Sequence, residues 1–181
     1  MIAEEAWKIL KSAELVCDAQ TVHAAIVRLG REITEQLADR NPLALVVMRG
    51  GVFFAGQLLP LLRFPLELDY VHASRYGNET TGGYLEWKSL PPQSIRGRCV
   101  LVLDDILDAG ETLAAIREHL LKAGVESCFL AVLTEKNTGL AKPVKADFVG
   151  LTVPNKYLFG CGLDVSGAWR NLPEIYALKE G

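Results

Sequence analysis

The stretch Val100-Leu-Val-Leu-Asp104-Asp105-Ile-Leu-Asp108-Ala-Gly110-Glu-Thr112-Leu113 decides the fold of this 181-residue chain. Four apolar residues lead into two adjacent acids, and a third acid, a glycine and a threonine follow. This pattern predicts a buried strand, a tight loop and the start of a helix. A fully apolar run is typical of a strand covered on both faces, as in a parallel sheet. We therefore expect the acids at the end of that strand.

The loop after this strand is predicted to bind a phosphate group. In open α/β sheets, ligands bind at the carboxyl ends of the parallel strands. There the backbone N–H groups of Ala109, Gly110, Glu111 and Thr112 can point to one anion at the helix N-terminus, and the Thr112 hydroxyl is a further donor. Such residues are also ordinary in turns and helix caps, but the whole pattern is more specific than any of its residues.

The acids offer oxygen ligands beside that loop. Asp104 and Asp105 can face either a sugar diol or an Mg²⁺ ion that keeps its waters. Asp108 is placed to reach over the bound molecule.

Composition limits the class of protein. Half of the residues are hydrophobic and 23% are charged, which indicates a globular chain, and its length is typical of one domain. The net charge of −3 argues against a general nucleic-acid binder. No signal-peptide pattern and no membrane-spanning apolar run is visible, which predicts a cytoplasmic protein. The cysteines lie far apart, without a C-x-x-C pair, and are expected as small core residues: Cys17, Cys99, Cys128 and Cys161.

Strand and helix patterns alternate along the rest of the chain. The apolar periodicity predicts helix over residues 4–40 and from Phe53 to Leu62, and a third helix with the stripe Leu113, Ile116 and Leu120, closed by Gly124. The other predicted strands are Leu43–Met48, Leu66–Val71, Tyr84–Lys88, Ser127–Leu133 and Asp147–Val153. The alternation predicts an α/β fold with a mostly parallel, doubly wound sheet flanked by helices.

Two further loops could border a site. Arg49-Gly50-Gly51 follows the strand 43–48 at once, so its amides and the Arg49 charge can receive an anion. A simple tight turn with a surface arginine fits this stretch equally well. The polar, Gly-rich residues 74–83 and the strand after them are expected to form a ribbon or a mobile flap, or else a plain surface hairpin.

Together these stretches resemble the type I phosphoribosyltransferases, and in particular the hypoxanthine-guanine phosphoribosyltransferase family. Residues 104–112 resemble the phosphoribosyl pyrophosphate motif, and residues 48–51 resemble the pyrophosphate loop, in which the family has a cis peptide bond, here expected between Met48 and Arg49. Residues Asp147–Gly150 and Pro154–Leu158 resemble the family's purine-pocket segment. The C-terminal match, which separates this family from more distant ones, consists of Gly160–Asp164 and Trp169–Pro173.

The resemblance covers roughly residues 43–173 and implies the type I phosphoribosyltransferase fold, with a flexible loop or ribbon and a small C-terminal hood. It implies one domain over residues 1–181, with N-terminal helices (1–40), a flexible catalytic loop (74–98) and a hood that carries the purine pocket (154–181).

The implied function is purine salvage. The 5-phosphoribosyl group of phosphoribosyl pyrophosphate is transferred to a 6-oxopurine base, hypoxanthine or guanine, which gives IMP or GMP and pyrophosphate, with Mg²⁺ as cofactor. The resemblance also implies a homodimer or homotetramer, with neither nucleic acid nor a membrane as partner.

The resemblance also implies roles for single residues. Asp108 is the general base or hydrogen-bond partner at purine N7. Lys136 donates to O6, where adenine has an amino group instead. Tyr157 stacks on the base and the Leu158 backbone reads the ring edge. The residues implied at the ribose and 5′-phosphate are Asp104, Asp105, Asp108, Ala109, Gly110, Glu111 and Thr112, and those implied at pyrophosphate are Arg49, Gly50, Gly51 and Arg170. The flexible loop supplies Ser74, Arg75 and Tyr76. The purine residues are Lys136, Tyr157, Leu158 and Asp164, and the metal residues are Asp104, Asp105 and Asp164.

Three positions depart from the family pattern. Arg75 stands where a serine is usual, Asp104 where glutamate is frequent, and Tyr157 where phenylalanine is usual. They leave open the balance among hypoxanthine, guanine and xanthine.

Two alternatives remain at this point. A regulatory nucleotide- or RNA-binding protein on the same fold is disfavoured by the intact Asp108, Lys136 and Arg49. The second alternative is a receiver-type domain, whose acids bind Mg²⁺ and accept a phosphoryl group. It is disfavoured because receiver domains have their acid pair near the N-terminus, whereas Asp104 and Asp105 lie in the middle of this chain.

Overall fold

The computed structural model describes residues 1–76, 84–89 and 95–179, with only the backbone described for 74–76 and 84–86. In this part of the chain the helices are α1 (Ala3–Ser12), α2 (Ala19–Leu37), α3 (Gly51–Leu58), followed by a 3₁₀ turn (Leu59–Leu61), and α4 (Glu111–Lys122). The strands are β1 (Glu14–Cys17), β2 (Leu43–Val47), β3 (Glu67–Tyr76), β4 (Tyr84–Ser89), β5 (Cys99–Leu107), β6 (Ser127–Asn137), β7 (Phe148–Pro154), β8 (Leu158–Phe159) and β9 (Ile175–Ala177).

The central sheet has six strands in the order β4-β3-β2-β5-β6-β7. Strands β3, β2, β5, β6 and β7 are parallel, and β4 runs antiparallel to β3. In the middle, Leu43 of β2 pairs with Glu67 of β3 on one side and with Val100 of β5 on the other. The predicted mostly parallel sheet is confirmed. The strand predicted over Tyr84–Lys88 is present as β4, which pairs with the end of β3.

Helices cover both faces of this sheet, as expected for a doubly wound fold. On one face, Leu101 and Leu103 of β5 pack in a core with residues of α2 and α3. On the other face, Val100 and Val102 pack in a second core with residues of α4. Both faces are therefore apolar, which explains why residues 100–103 show no polar alternation.

A second, antiparallel sheet of three strands has the order β1-β9-β8. The prediction of helix throughout residues 4–40 is wrong here, because β1 separates α1 from α2. Leu15 of β1 pairs with Tyr176 of β9, a partner that no local pattern reveals. Asp18 then caps the N-terminus of α2, since its side chain accepts a hydrogen bond from the Thr21 amide at 2.7 Å.

The C-terminal segment also packs against the first helix. The Trp169 indole Nε1 donates to the Ala6 carbonyl at 3.0 Å, and its ring meets Trp7 edge-on at 4.9 Å between centroids. The predicted C-terminal hood is thus built jointly with the N-terminal residues of the chain.

Several elements are longer or shorter than predicted. Strand β5 continues through the acids to Leu107, because Asp104 pairs with Val132 and Leu107 with Glu135 of β6. Strand β6 likewise continues to Asn137, so Lys136 lies in a strand. The helix predicted from Phe53 to Leu62 begins at Gly51 and gives way to the 3₁₀ turn after Leu58.

Three of the four cysteines lie in the core, as predicted. Cys99, Cys128 and Cys161 are buried, and Cys17 is partly buried. Burial raises the pKa of the Cys161 thiol to about 12 and that of Cys128 to about 11. Within the described ranges, no helix is long and apolar enough to cross a bilayer.

Candidate active site

The residues predicted for the ribose, the 5′-phosphate and pyrophosphate, Gly51 excepted, meet at the carboxyl ends of β2 and β5. A cavity of about 350 Å³ lies there. Because parallel strands end at the same edge of a sheet, the turn after β2 and the loop after β5 both reach this cavity. Among the residues that line it are Arg49, Gly50, Asp104, Asp105, Asp108, Ala109, Gly110, Glu111, Thr112 and Arg170.

The loop after β5 ends in a left-handed glycine. Gly110 has φ +86° and is the N-cap of α4. A side chain at this φ would be strained, and its Cβ would lie 3.2 Å from Leu107 Cδ1. Residues 109–112 line the cavity at the N-terminus of α4. The first N–H groups of a helix lack an intrahelical acceptor and can therefore bind an anion there.

The turn after β2 lies against the acids of β5. The peptide bond Met48–Arg49 is cis, which confirms the expectation from the family resemblance. The Arg49 side chain is exposed and borders the cavity. A Cβ on Gly50 would overlap the carboxylate of Asp105, and a Cβ on Gly51 would lie 2.6 Å from the Leu103 carbonyl oxygen. Both glycines are therefore required for α3 to begin so close to β5.

The acid pair is buried. Asp104 and Asp105 are each 8% exposed, and the Asp105 amide donates to Asp104 Oδ1 at 2.9 Å. Burial raises the pKa of Asp104 well above its usual range, and the neighbouring Asp105 charge raises it further. Burial also raises the pKa of Asp105, opposed by its hydrogen bond with Asp104 and by the Arg170 charge. A cation in the cavity would relieve this unfavourable burial of negative charge.

A second cavity, of about 270 Å³, adjoins the first. The two share Asp105, Ile106, Asp108 and Arg170. The second is also lined by all four predicted purine residues, namely Lys136, Tyr157, Leu158 and Asp164.

One ion pair marks the boundary between the cavities. Lys136 Nζ lies 2.6 Å from Asp108 Oδ2, and the lysine side chain is only 13% exposed. A lysine near the end of a strand is usually solvent-facing, but Lys136 lies against an acid that borders both cavities. A hydrogen-bond donor and an acceptor are thereby presented side by side.

Arg170 joins the C-terminal segment to the site. Its guanidinium forms an ion pair with Asp164 and donates to the Gly162 carbonyl at 2.5 Å. The second Asp164 oxygen accepts from the Gly167 amide at 2.6 Å. Asp164 lies with the predicted purine residues in the second cavity. The described residues contain no cluster of three or more potential metal-ligating side chains.

The predicted flexible loop lies partly outside the described residues. The backbones of Ser74, Arg75 and Tyr76 form the end of β3 and pair with residues 84–86 of β4. Ala73, just before them, lines the first cavity, so the end of β3 reaches its rim. The central residues of the loop, 77–83, and residues 90–94 are not among those described.

Sequence reasoning missed two supporting residues. The buried Thr134 hydroxyl donates to the Asp105 carbonyl at 2.9 Å and so holds the backbone of the acid pair. The Lys142 ammonium contacts the carbonyl of Leu107, just before Asp108. Neither residue belongs to a motif, and only their contacts across the fold reveal them.

Comparisons with known proteins agree with the geometry. Residues 14–166 match the family described as the phosphoribosyl transferase domain. The chain is 31% identical to the hypoxanthine-guanine phosphoribosyltransferase of Streptococcus pneumoniae, over 99% of this chain and 97% of that one. It is 38% identical to the hypoxanthine-guanine-xanthine phosphoribosyltransferase of Tritrichomonas foetus, over 88% of this chain and 87% of that one. A solved structure of a hypoxanthine-guanine-xanthine phosphoribosyltransferase superposes with a TM-score of 0.79 and 34% identity, covering 94% of this chain and 97% of that one.

Proposed function

The chain belongs to the phosphoribosyl transferase domain family, and we propose that it is an enzyme of purine salvage that transfers the 5-phosphoribosyl group of phosphoribosyl pyrophosphate to hypoxanthine or guanine. The observation that carries the proposal is the pair of adjoining cavities that share Asp108. One has the glycine loop of an anion site, and the other has Lys136 beside that acid. The relatives are named as phosphoribosyltransferases of the same bases, so the regulatory alternative has no support.

The first cavity is assigned to the phosphoribosyl group. Residues 109–112 would hold the 5′-phosphate at the N-terminus of α4. Asp104 and Asp105 would accept hydrogen bonds from the ribose hydroxyls. The Gly50 and Gly51 amides would receive pyrophosphate together with Arg49 and Arg170, the two arginines that line the same cavity.

Mg²⁺ is the proposed cofactor, and the residues fit it. Mg²⁺ prefers oxygen ligands, keeps several waters and takes one or two carboxylates together with substrate phosphates. Asp104 and Asp105 would supply such carboxylates at the pyrophosphate side, and Asp164 would bind a second ion through water. When bound, the metal neutralises charge on the departing pyrophosphate.

The second cavity is assigned to the base. Lys136 would donate to the purine O6, Tyr157 would stack on the ring, and the Leu158 backbone would read its edge. The Asp108 carboxylate would accept the proton at N7. The ion pair of 2.6 Å between Lys136 and Asp108 must open for this, since the base edge takes over both partners.

The remaining assignments concern the whole chain. We infer a single domain over residues 1–181 in the cytoplasm, with a catalytic loop that starts at Ser74, Arg75 and Tyr76. The C-terminal part, 154–181, would carry the purine pocket.

A homodimer or homotetramer is proposed from an exposed apolar face. Val52, Leu68 and Tyr70 are 49%, 60% and 50% exposed. Leu68 and Tyr70 pair with β2 residues that face the core under α2 and α3, so both lie on the α3 side of the sheet. A second copy of the chain would cover this face. Leu68→Lys is expected to lower the mass found by sedimentation, and Leu140→Lys, at a residue 78% exposed, is the control. A monomeric wild type would contradict the proposal.

The function is tested by pyrophosphate release. The protein is mixed with phosphoribosyl pyrophosphate and Mg²⁺, and hypoxanthine, guanine, xanthine or adenine is added separately. We expect release with 6-oxopurines and none with adenine or without a base. Asp108→Asn is the negative control. Absence of release with all four bases, from a protein that binds GMP, would overturn the assignment.

A further inference from the structure

Lys142 lies in the segment between β6 and β7, outside every motif of the sequence. Its side chain is only 10% exposed. Its ammonium donates to the Leu107 carbonyl at 3.0 Å, to the Lys136 carbonyl at 2.7 Å and to Glu135 Oε1 at 3.0 Å. An ammonium has three donors and no acceptor, so these three oxygens match its full capacity.

The two carbonyls belong to the backbone of the proposed base-reading groups. The Leu107 carbonyl is part of the peptide bond to Asp108, and the other carbonyl is that of Lys136 itself. The side chains of Asp108 and Lys136 form the ion pair of 2.6 Å between the cavities. One buried charge therefore contacts the backbone at both ends of that pair.

The position of Lys142 explains why such a contact matters. The pairing between β5 and β6 ends with Leu107 opposite Glu135. Beyond that pair, ladder hydrogen bonds no longer hold Asp108 relative to Lys136. The Lys142 ammonium connects the ends of β5 and β6 at this point, through the Leu107 and Lys136 carbonyls. The same segment also packs beside the phosphate loop, since a Cβ on Gly110 would lie 3.5 Å from Lys142 Cβ and 3.4 Å from Pro143 Cδ.

We propose that Lys142 is a positioning residue that sets the spacing of Asp108 and Lys136 for the edge of the base. This inference rests on the proposed function and deepens it. All three donors of the ammonium are engaged by protein oxygens, so it has none left for the substrate. Its effect therefore acts through the positions of Asp108 and Lys136. A shift of about 1 Å in a reacting group can cost about 100-fold in rate, so loss of this bridge should be measurable.

The test compares Lys142→Met with Lys145→Met, an exposed lysine of the same segment. Methionine keeps the length and the apolar stem but has no donor. For Lys142→Met we expect GMP affinity to fall by about 10-fold or more and kcat with hypoxanthine to fall by a similar factor. The affinity for ribose 5-phosphate, which lacks the base, should stay within about twofold. Lys145→Met should change none of these values.

A second variant separates the carbonyl contacts from the ion pair. Glu135→Gln keeps the Leu107 and Lys136 carbonyls as acceptors and removes only the charged partner of Lys142. We expect a loss of GMP affinity below about threefold. A full loss in Glu135→Gln would overturn the proposal, because pairing of charge would then be the decisive contact.

The remaining outcomes are also decisive. If Lys142→Met weakens ribose 5-phosphate and GMP equally, the residue merely maintains the site as a whole, and the proposal is wrong. Unchanged binding of both ligands would contradict it as well. If the wild-type protein releases no pyrophosphate, the proposed function fails. The comparison of GMP with ribose 5-phosphate still tests Lys142 in that case.

Discussion

Replacing Gly50 by alanine should damage the site with little effect on α3, of which Gly50 is the N-cap. Gly50 has φ −62° and ψ −44°, an ordinary right-handed helical conformation that alanine adopts readily. Its Cβ, however, would overlap Oδ2 and Cγ of Asp105 and lie 2.8 Å from Oδ1. Asp105 is only 8% exposed but lines both cavities, so its carboxylate can yield only into the space of the site. The carboxylate must therefore move.

The magnitude follows from that displacement. A carboxylate displaced by about 1 Å is expected to lower kcat/KM for phosphoribosyl pyrophosphate by about 100-fold, or about 2.7 kcal/mol of transition-state stabilisation. Gly56 in the same helix is the matched control, since a Cβ there meets nothing within 4 Å. Gly56→Ala should stabilise the helix by about 0.5–1 kcal/mol, which raises Tm by about 1–4 °C in a chain of this size.

The assay measures kcat/KM and Tm for both variants beside the wild type. Activity of Gly50→Ala within about threefold of wild type would refute the argument that the turn after β2 and Asp105 form one rigid contact. Equal losses in Gly50→Ala and Gly56→Ala would point to a general effect on α3.

Three further predictions concern the acids and the lysine of the site. Asp108→Asn should lower kcat by about 10²–10⁴-fold while the Kd of phosphoribosyl pyrophosphate changes little; equal losses in both would contradict its role in the chemical step. Lys136→Ala should reduce the preference for hypoxanthine over adenine in kcat/KM by about 10-fold or more, and an unchanged ratio would exclude its role at O6. Asp104→Asn should be more stable to heat than the wild type at about pH 8, and the gain should shrink toward about pH 4. Burial raises the pKa of Asp104 well above its usual value of 3.8, so the folded state binds this proton more tightly than the unfolded state does. The stability of the wild type therefore falls as the pH rises from the usual to the raised pKa. Thermal unfolding of both proteins at several pH values measures the gain, and a gain independent of pH would contradict the prediction.

Much of the site could be predicted because its signals are local. An apolar run that ends in acids and a glycine identifies the end of a strand and a loop wherever it occurs. Two such loops in a parallel sheet must meet at one edge, and the structure brings residues 49–50, 104–106 and 108–112 to one cavity. The family resemblance added the distant members, since Lys136, Tyr157 and Arg170 also line the adjoining cavities.

The errors have a common physical origin. Strand β1 was hidden inside an apparently helical stretch, because its partner β9 lies at the other end of the chain. The sequence pattern predicts that the strand ends at the acids, although pairing with β6 carries β5 on to Leu107. In both places hydrogen bonds to a distant strand determine the conformation, and local propensity does not report them.

The sequence by itself determined the alternation of strands and helices, the glycine turns and the acid cluster, because side-chain period and backbone sterics act over a few residues. Only the tertiary structure decided the burial of Asp104 and Asp105, the contact of Lys136 with Asp108 and the bridge made by Lys142. Those features depend on how closely separate strands and loops approach one another, and packing of the whole sheet sets that distance.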